Sequence, residues 1–205
     1  MTSILFTLVL MLSPNFTPFP EIRTDRLLLR QMTLADAPGV QRLRSNEEVM
    51  KYINRPLTRT LEDAENWINV VLEALGKNEG ITWCICLREG SGEHIGNIGL
   101  WRIDKENYRA EIGYMLEPSL HRKGITYEAL QKVVAYGFME LKLHSIEARI
   151  DPRNAASAAL LEKSGFVQEA YFKENYNLRG EFVDTAVYSI LTPPVADTER
   201  VDVKG

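Results

Sequence analysis

"LEPSLHRKGITYEAL", residues Leu116 to Leu130, sets His121, Arg122 and Lys123 against Gly124 in a chain whose formal net charge is -4. The alternating run "RAEIGYML" precedes it. Downstream, Ala129, Leu130, Val133, Val134, Phe138 and Leu141 fall on one stripe of "TYEALQKVVAYGFMELK", which predicts a helix with one wet face. The stretch is therefore a strand-to-helix turn. A helix N-terminus carries N–H groups without intrahelical acceptors and a partial positive charge, so it attracts phosphate, and Gly124 lets a ligand approach the backbone without a Cβ in the way. Arg122 and Lys123 add charge where a pyrophosphate would lie. Taken alone, the three basic residues also suit a solvated loop. The turn is neither GxxxxGK[ST] nor GxGxxG, which sets aside nucleoside triphosphate hydrolysis and a Rossmann dinucleotide site.

Working outward, "SIEARI" reads as a strand, Asn154 as the cap of a helix over "AASAALLEKS", and Gly165 as its stop. "FVQEAYFKENY" and "FVDTAVYSIL" then form a final strand pair. Upstream, "ITWCICLRE", "HIGNIGLWRI" and "RAEIGYML" are separated by "GSGE" and "DKENY", connections suited to an antiparallel meander. Before them come a short strand in "RLLLRQ", a helix opening at Thr33 with Asp36 three residues on, and a helix from Thr60. The last carries Leu61, Ala64, Ile68, Val71, Leu72 and Leu75 at helical spacing, with Gly76 where a C-terminal cap is expected. Strands and helices mixed in this order predict an α/β layer with a largely antiparallel sheet.

At 205 residues, 45% hydrophobic and 25% charged, the chain suits one domain with a sizeable core. A mildly acidic balance without a Lys/Arg block argues against nucleic acid or an anionic membrane as partner. Cys84 and Cys86 stand two apart on a strand, facing the same way, and read as reduced and structural. His94, His121 and His144 are scattered, with no second cysteine pair, so no metal site is indicated. His94 and His144 read as surface or turn residues, and Trp67, Trp83 and Trp101 as packing. The opening "MTSILFTLVLML" lacks a basic n-region and is too short to span a bilayer, which leaves an N-terminal arm or extra strand over residues 1–20, or an upstream start codon. The cytoplasm is the expected location, and residues 192–205 are expected to be a mobile tail.

Three ordered segments carry a resemblance: "EIRTDRLLLRQMTLADA", "HRKGITYEAL" and "DPRNAASAALLEKSGF". Together they resemble the GCN5-related N-acetyltransferase (GNAT) superfamily, in the branch of the ribosomal-protein N-terminal acetyltransferases, over residues 21–191. The family's turn reads Gln/Arg-x-x-Gly-x-Gly/Ala; here His121 takes the first place, Gly124 is kept and Thr126 replaces the second small residue. What the resemblance implies is a mostly antiparallel sheet splayed between its fourth and fifth strands, "EIGYML" and "IEARI", with helices on both faces. Acetyl-CoA would enter the splay as cosubstrate. Main-chain groups near Tyr114, Met115 and Leu116 would bond its pantetheine and polarise the thioester carbonyl. His121, Arg122, Lys123, Gly124, Ile125 and Thr126 would cradle the pyrophosphate, and Asn154 would bond the cofactor chain.

Transfer to an amine needs a proton acceptor on the acceptor side and a donor near the leaving sulfur. Glu111, opening the splayed strand, is the candidate base; the same carboxylate also suits a surface pair with Arg109 or a lysine. By the resemblance, Ser157 is the donor, although a small residue on a first helical turn has a plain structural reading too. Tyr171 and Tyr176 are further hydroxyls, more in keeping with packing. A covalent cysteine route finds no local base beside Cys84 or Cys86, so direct transfer in a ternary complex is expected. The acceptor implied by the branch is a protein or peptide N-terminal amine. A polyamine, an aminoglycoside, or a binding module without turnover stay open as alternatives, and a homodimer is compatible with the chain.

Overall fold

The computed structural model describes residues 11–193. Eight strands form one sheet: β1 (Ile22–Arg23), β2 (Leu27–Gln31), β3 (Ile81–Leu87), β4 (Gly96–Asp104), β5 (Arg109–Leu116), β6 (Ser145–Ile150), β7 (Val167–Leu178) and β8 (Glu181–Leu191). Their spatial order is β1-β2-β3-β4-β5-β6-β8-β7. Every neighbouring pair is antiparallel except β5 with β6. Among the described residues, five α-helices accompany it: α1 (Ala37–Arg44), α2 (Glu47–Met50), α3 (Leu61–Gly76), α4 (Ile125–Met139) and α5 (Ala155–Lys163).

Strand alternation sorts the core into two layers. Leu27, Leu29, Trp83, Ile85, Ile98, Leu100, Ala110 and Ile112 point to one face and pack with Ala129, Leu130 and Val133 of α4. Leu28, Cys84 and Cys86 point to the other and pack with Val40 of α1 and Ala64 and Ile68 of α3. Helices thus cover both faces. The two cysteines are free and buried, with their Sγ atoms 3.5 Å apart.

Local signals explain most boundaries. Asp36 accepts from the Thr33 N–H at 2.8 Å and takes the Arg30 guanidinium through both oxygens. Burial acts to raise the Asp36 carboxyl, and the bonds from Arg30 and Thr33 together outweigh it, so it lies below the usual carboxylate range. Thr60 accepts from Asp63 N–H and Asp63 accepts from Thr60 N–H, a reciprocal cap for α3. At the far end of α3, Gly76 is the last helical residue, and the left-handed position falls instead on Asn78, at φ 53. Asn tolerates that conformation, and here its Oδ1 accepts the Phe16 N–H at 3.1 Å, which gives the position a second use.

The parting lies between the strands expected for it, "EIGYML" in β5 and "IEARI" in β6, which count as fifth and sixth because the two-residue β1 folds back on β2. Other expectations change. Within the arm expected over residues 1–20, residues 1–10 lie outside the described residues, while Leu12 and Phe16 are buried in the core and Trp83 Nε1 donates to the Pro20 carbonyl at 2.7 Å. Of the tail expected from 192, Thr192 is tied down, its N–H to His144 O and its Oγ1 to Leu143 O; residues 194–205 lie outside the described residues. His94 is 2% exposed, not a surface residue. No helix among the described residues is long and apolar enough to cross a membrane.

Candidate active site

β5 and β6 run side by side only over Arg109↔Ser145, Ala110↔Ile146 and Glu111↔Glu147. Beyond that register the two strands have no pairing with each other, although β5 stays paired with β4 as far as Leu116. Each of the parting strands leads to a helix that starts at the open end: β5 to α4 and β6 to α5. Two helix N-termini therefore flank a gap at the carboxyl ends of parallel strands, where open sheets receive ligands.

The first N-terminus is the basic turn. After a 3₁₀ turn at Pro118–Leu120, Arg122 has φ 60 and Gly124 φ 75, and Gly124 caps α4 without a side-chain bond. The N–H groups of Ile125 and Thr126 open the helix, uncovered by any capping side chain. Arg122 and Lys123 are exposed. The His121 ring folds back, and its Nε2 donates to Leu116 O at 3.0 Å, so the imidazole braces the end of β5. A further cation joins the turn from β2's leading edge: Arg26 donates to Lys123 O at 2.9 Å and to Glu128 Oε2 at 2.6 Å. The sequence stretch "RTDRLLLR" held this residue, but nothing local to it signals a partner 97 positions away.

The second N-terminus is capped by Asn154, whose Oδ1 accepts the Ser157 N–H at 3.1 Å. This satisfies its reading as a cap. Ser157 is buried, and its hydroxyl lies 2.8 Å from the Tyr114 hydroxyl, so the pair reaches across the gap from β5 to α5. Burial pushes the Tyr114 phenol up to about 12, against a smaller opposing effect of Ser157, so it stays protonated at neutral pH. Tyr114 was expected for its main chain alone. Its alternation with Glu111 and Gly113 was the signal that its side chain faces α5.

Glu111 and Met115 lie on the opposite face of β5, toward α1 and α3. The Trp101 ring covers Gly113 there, its atoms 2.6 Å from where a Cβ would sit, so only glycine admits the indole. Glu111 takes Arg102 Nη1 on its Oε2 at 2.7 Å, and its side chain is 13% exposed. The alternative reading, a pair with Arg109 or a lysine, is met instead by Arg102, and Arg109 reaches Glu147 at 2.6 Å. Glu111 and Ser157 are thus on opposite faces of the same parting. Tyr171 and Tyr176 are exposed on the outer strand β7.

Residues 26–167 match the acetyltransferase (GNAT) domain family. The Bacillus subtilis (strain 168) N-acetyltransferase YoaA is 38% identical over 175 residues, 85% of this chain and 98% of its own length. A GNAT-family acetyltransferase from Bacillus anthracis, 32% identical, superposes with a TM-score of 0.74 over 84% of this chain and 98% of that one. RimL, a ribosomal L7/L12 alpha-N-protein acetyltransferase solved with coenzyme A, gives 0.77 over 84% and 98%; at 19% identity the likeness is one of fold. The chain belongs to the GNAT family and is an acetyl-CoA-dependent N-acetyltransferase.

Proposed function

We propose that the chain moves acetyl from acetyl-CoA to a protein or peptide N-terminal amine by direct transfer in a ternary complex. The observation that carries this reading is the parting of β5 from β6 beyond Glu111↔Glu147, with a hydroxyl pair on one face and a carboxylate on the other. The Gly124 turn with Arg122, Lys123 and Arg26 suits a pyrophosphate, and the β5 edge beyond Glu111 suits an extended pantetheine. Two substrates then meet in the gap from opposite faces.

Glu111 takes a proton from the acceptor nitrogen through its Oε1, which has no partner among the described residues, as that nitrogen forms the C–N bond. The Tyr114–Ser157 pair donates a proton to the sulfur as the C–S bond breaks. A thiol leaves with a pKa near about 8.5, so this donor supplies only modest help. The acceptor's own acidity matters more. An α-amine titrates near about 7.7–8.0 and a lysine-like amine near about 10.4, a difference worth ~3.5 kcal/mol to the base at about 1.36 kcal/mol per unit. The α-amine is the easier of the two to deprotonate, which favours it as the acceptor. RimL, by its name, acts on an α-amine.

The test is thiol release from acetyl-CoA with a peptide bearing a free N-terminus, the same peptide with a blocked N-terminus and an internal lysine, and spermidine. Release with the free N-terminus alone is the expected result. Release with the blocked peptide or spermidine at equal or greater kcat/KM would move the acceptor to a side-chain or polyamine nitrogen.

A further inference from the structure

A cleft of about 480 Å³ is lined by Asn54, Arg55, Pro56, Leu57, Arg59 and Arg179. Its place follows from strand register. Ile150, the last residue of β6, pairs with Ala186, so the part of β8 before Ala186 and the hairpin turn at Arg179 project beyond β6 at the open end of the parting. The segment between α2 and α3 meets that hairpin from the α1/α3 face: Asn54 Nδ2 donates to Asn177 O at 2.6 Å, and Arg179 Nη2 to Met50 O at 3.1 Å. The cleft therefore bridges the two halves of the sheet on the face that carries Glu111.

Its charge is one-sided. Arg55, Arg59 and Arg179 form no ion pair among the described residues, whereas the nearby acids are committed elsewhere. Asp63 accepts the Arg59 and Thr60 N–H groups at the cap of α3, and Glu181 pairs with Arg153. Behind the loop stands Arg44, 6% exposed, whose polar side-chain partner is Thr58 Oγ1 at 3.2 Å and whose guanidinium lies 4.7 Å from the Trp67 ring centroid. No carboxylate among the described residues pairs with it. Burial first, and the Arg55 charge second, lower Arg44 to about 10, so it remains a cation at neutral pH. Burying a cation without a counter-charge is costly, and the Arg55 charge adds to the cost. A chain with 24 basic and 28 acidic residues has no compositional reason to gather four arginines here.

We infer that this arginine cleft holds an anionic group of the acceptor, a carboxylate or a phosphate, so that the enzyme selects amines that carry a negative charge near the reacting nitrogen. The inference rests on the amine-transfer reading above and adds the acceptor's class to it. Arginine forks match carboxylate and phosphate oxygens through paired N–H bonds, and the cleft repels polycations.

The test compares acceptor pairs matched in size at fixed acetyl-CoA: glycyl-glutamate with amidated glycyl-glutamine, phosphoethanolamine with ethanolamine, and spermidine as the polycation. A kcat/KM at least about tenfold higher for the anionic member of a pair is expected, about the worth of one charged hydrogen bond; the responding pair separates carboxylate from phosphate. Arg55→Gln with Arg59→Gln, both exposed, should erase the preference and leave the KM for acetyl-CoA within about twofold. Equal or better turnover of neutral or cationic members would overturn the inference while leaving amine transfer intact. If no amine releases thiol, amine transfer fails, and the cleft is then read by thermal shift with inorganic phosphate and with succinate. A rise in Tm for wild type that the double variant loses supports the anion site, and identical responses overturn it.

Discussion

On the α4/α5 face of the parting, the groups proposed for the cosubstrate come from two short runs, residues 114–126 and 154–157, joined by Arg26, and much of their work falls to backbone N–H groups at helix starts. On the α1/α3 face, the groups come from Arg44, the 54–59 loop, Trp101, Glu111 and Arg179, and side chains do nearly all of it. The first is a local device, set by a glycine and a helix boundary. The second exists only once the sheet and the hairpin have brought distant segments together.

The largest effect should separate the two faces directly. Glu111→Gln keeps the shape but removes the proton acceptor, and loss of a positioned base costs about 10²–10⁴-fold. A fall of about 10³-fold in kcat/KM for the acceptor at pH 7, with the KM for acetyl-CoA unchanged, is the expected outcome of steady-state thiol release. If the variant keeps its rate across pH, the acceptor face supplies no base and the amine enters neutral. Ser157→Ala tests the other face: the Tyr114 hydroxyl remains, so kcat should fall only about tenfold, the loss of about 1.4 kcal/mol of proton donation.

That division also decides what could be read from the sequence. The strands, the α4 stripe, the Asn154 cap and the Gly124 turn were legible because each follows from spacing within a dozen residues. Arg26 at the turn was not, since its partners Lys123 and Glu128 are about a hundred positions away. Nor was the Tyr114–Ser157 pair, which needs the register of β5 against α5. His94 was misread for a related reason. It stands at a strand start among polar residues, "GSGEHIG", yet α1 closes over it, with Gly39 so near that a Cβ there would lie 2.8 Å from the His94 Cβ. Glu111 pairs with Arg102 instead of Arg109 because Glu147, its neighbour on β6, takes Arg109 first.

A separate effect, on stability and not on rate, belongs to the α1/α3 face. Both His94 ring nitrogens are buried without hydrogen-bond partners, and burial, with Arg30 and Arg42 adding to it and Asp36 opposing, lowers its pKa to about 4. Unfolded, the imidazole titrates near about 6.5. Between these values the unfolded chain binds the extra proton, so stability is complete above about pH 6.5 and is lost as pH falls toward about 4, by up to ~3 kcal/mol. Urea midpoints at pH 7.5 and 4.5 should show that loss in wild type and a shallower one in His94→Gln. Identical slopes would mean that His94 is hydrated in solution. A smaller effect belongs to the turn: Gly124→Ala meets only ordinary contact, 3.5 Å from Arg26, but forces alanine to φ 75, a cost of about 1–2 kcal/mol. The KM for acetyl-CoA should rise, and acceptor discrimination should stay.

The smallest effect tests whether the basic turn holds a ligand or is simply wet. Arg122 and Lys123 are both exposed, and an exposed ion pair is worth about 0.2–1 kcal/mol, so Arg122→Ala with Lys123→Ala should raise the KM for acetyl-CoA about three- to tenfold at low ionic strength. Salt should shrink that ratio, because at 1 M the screening length is about 3 Å. Arg26 stays in place, held by Glu128 and the Lys123 carbonyl, so binding should weaken rather than vanish. Arg122 also sits at φ 60, where a side chain other than glycine is strained, so Arg122→Gly removes the charge and relieves the backbone together. If charge acts on the pyrophosphate, Arg122→Gly weakens acetyl-CoA binding while raising Tm. If the residue serves only the turn's shape, Tm rises and the KM stays where it was, and the cradle then consists of Gly124, the α4 N–H groups and Arg26.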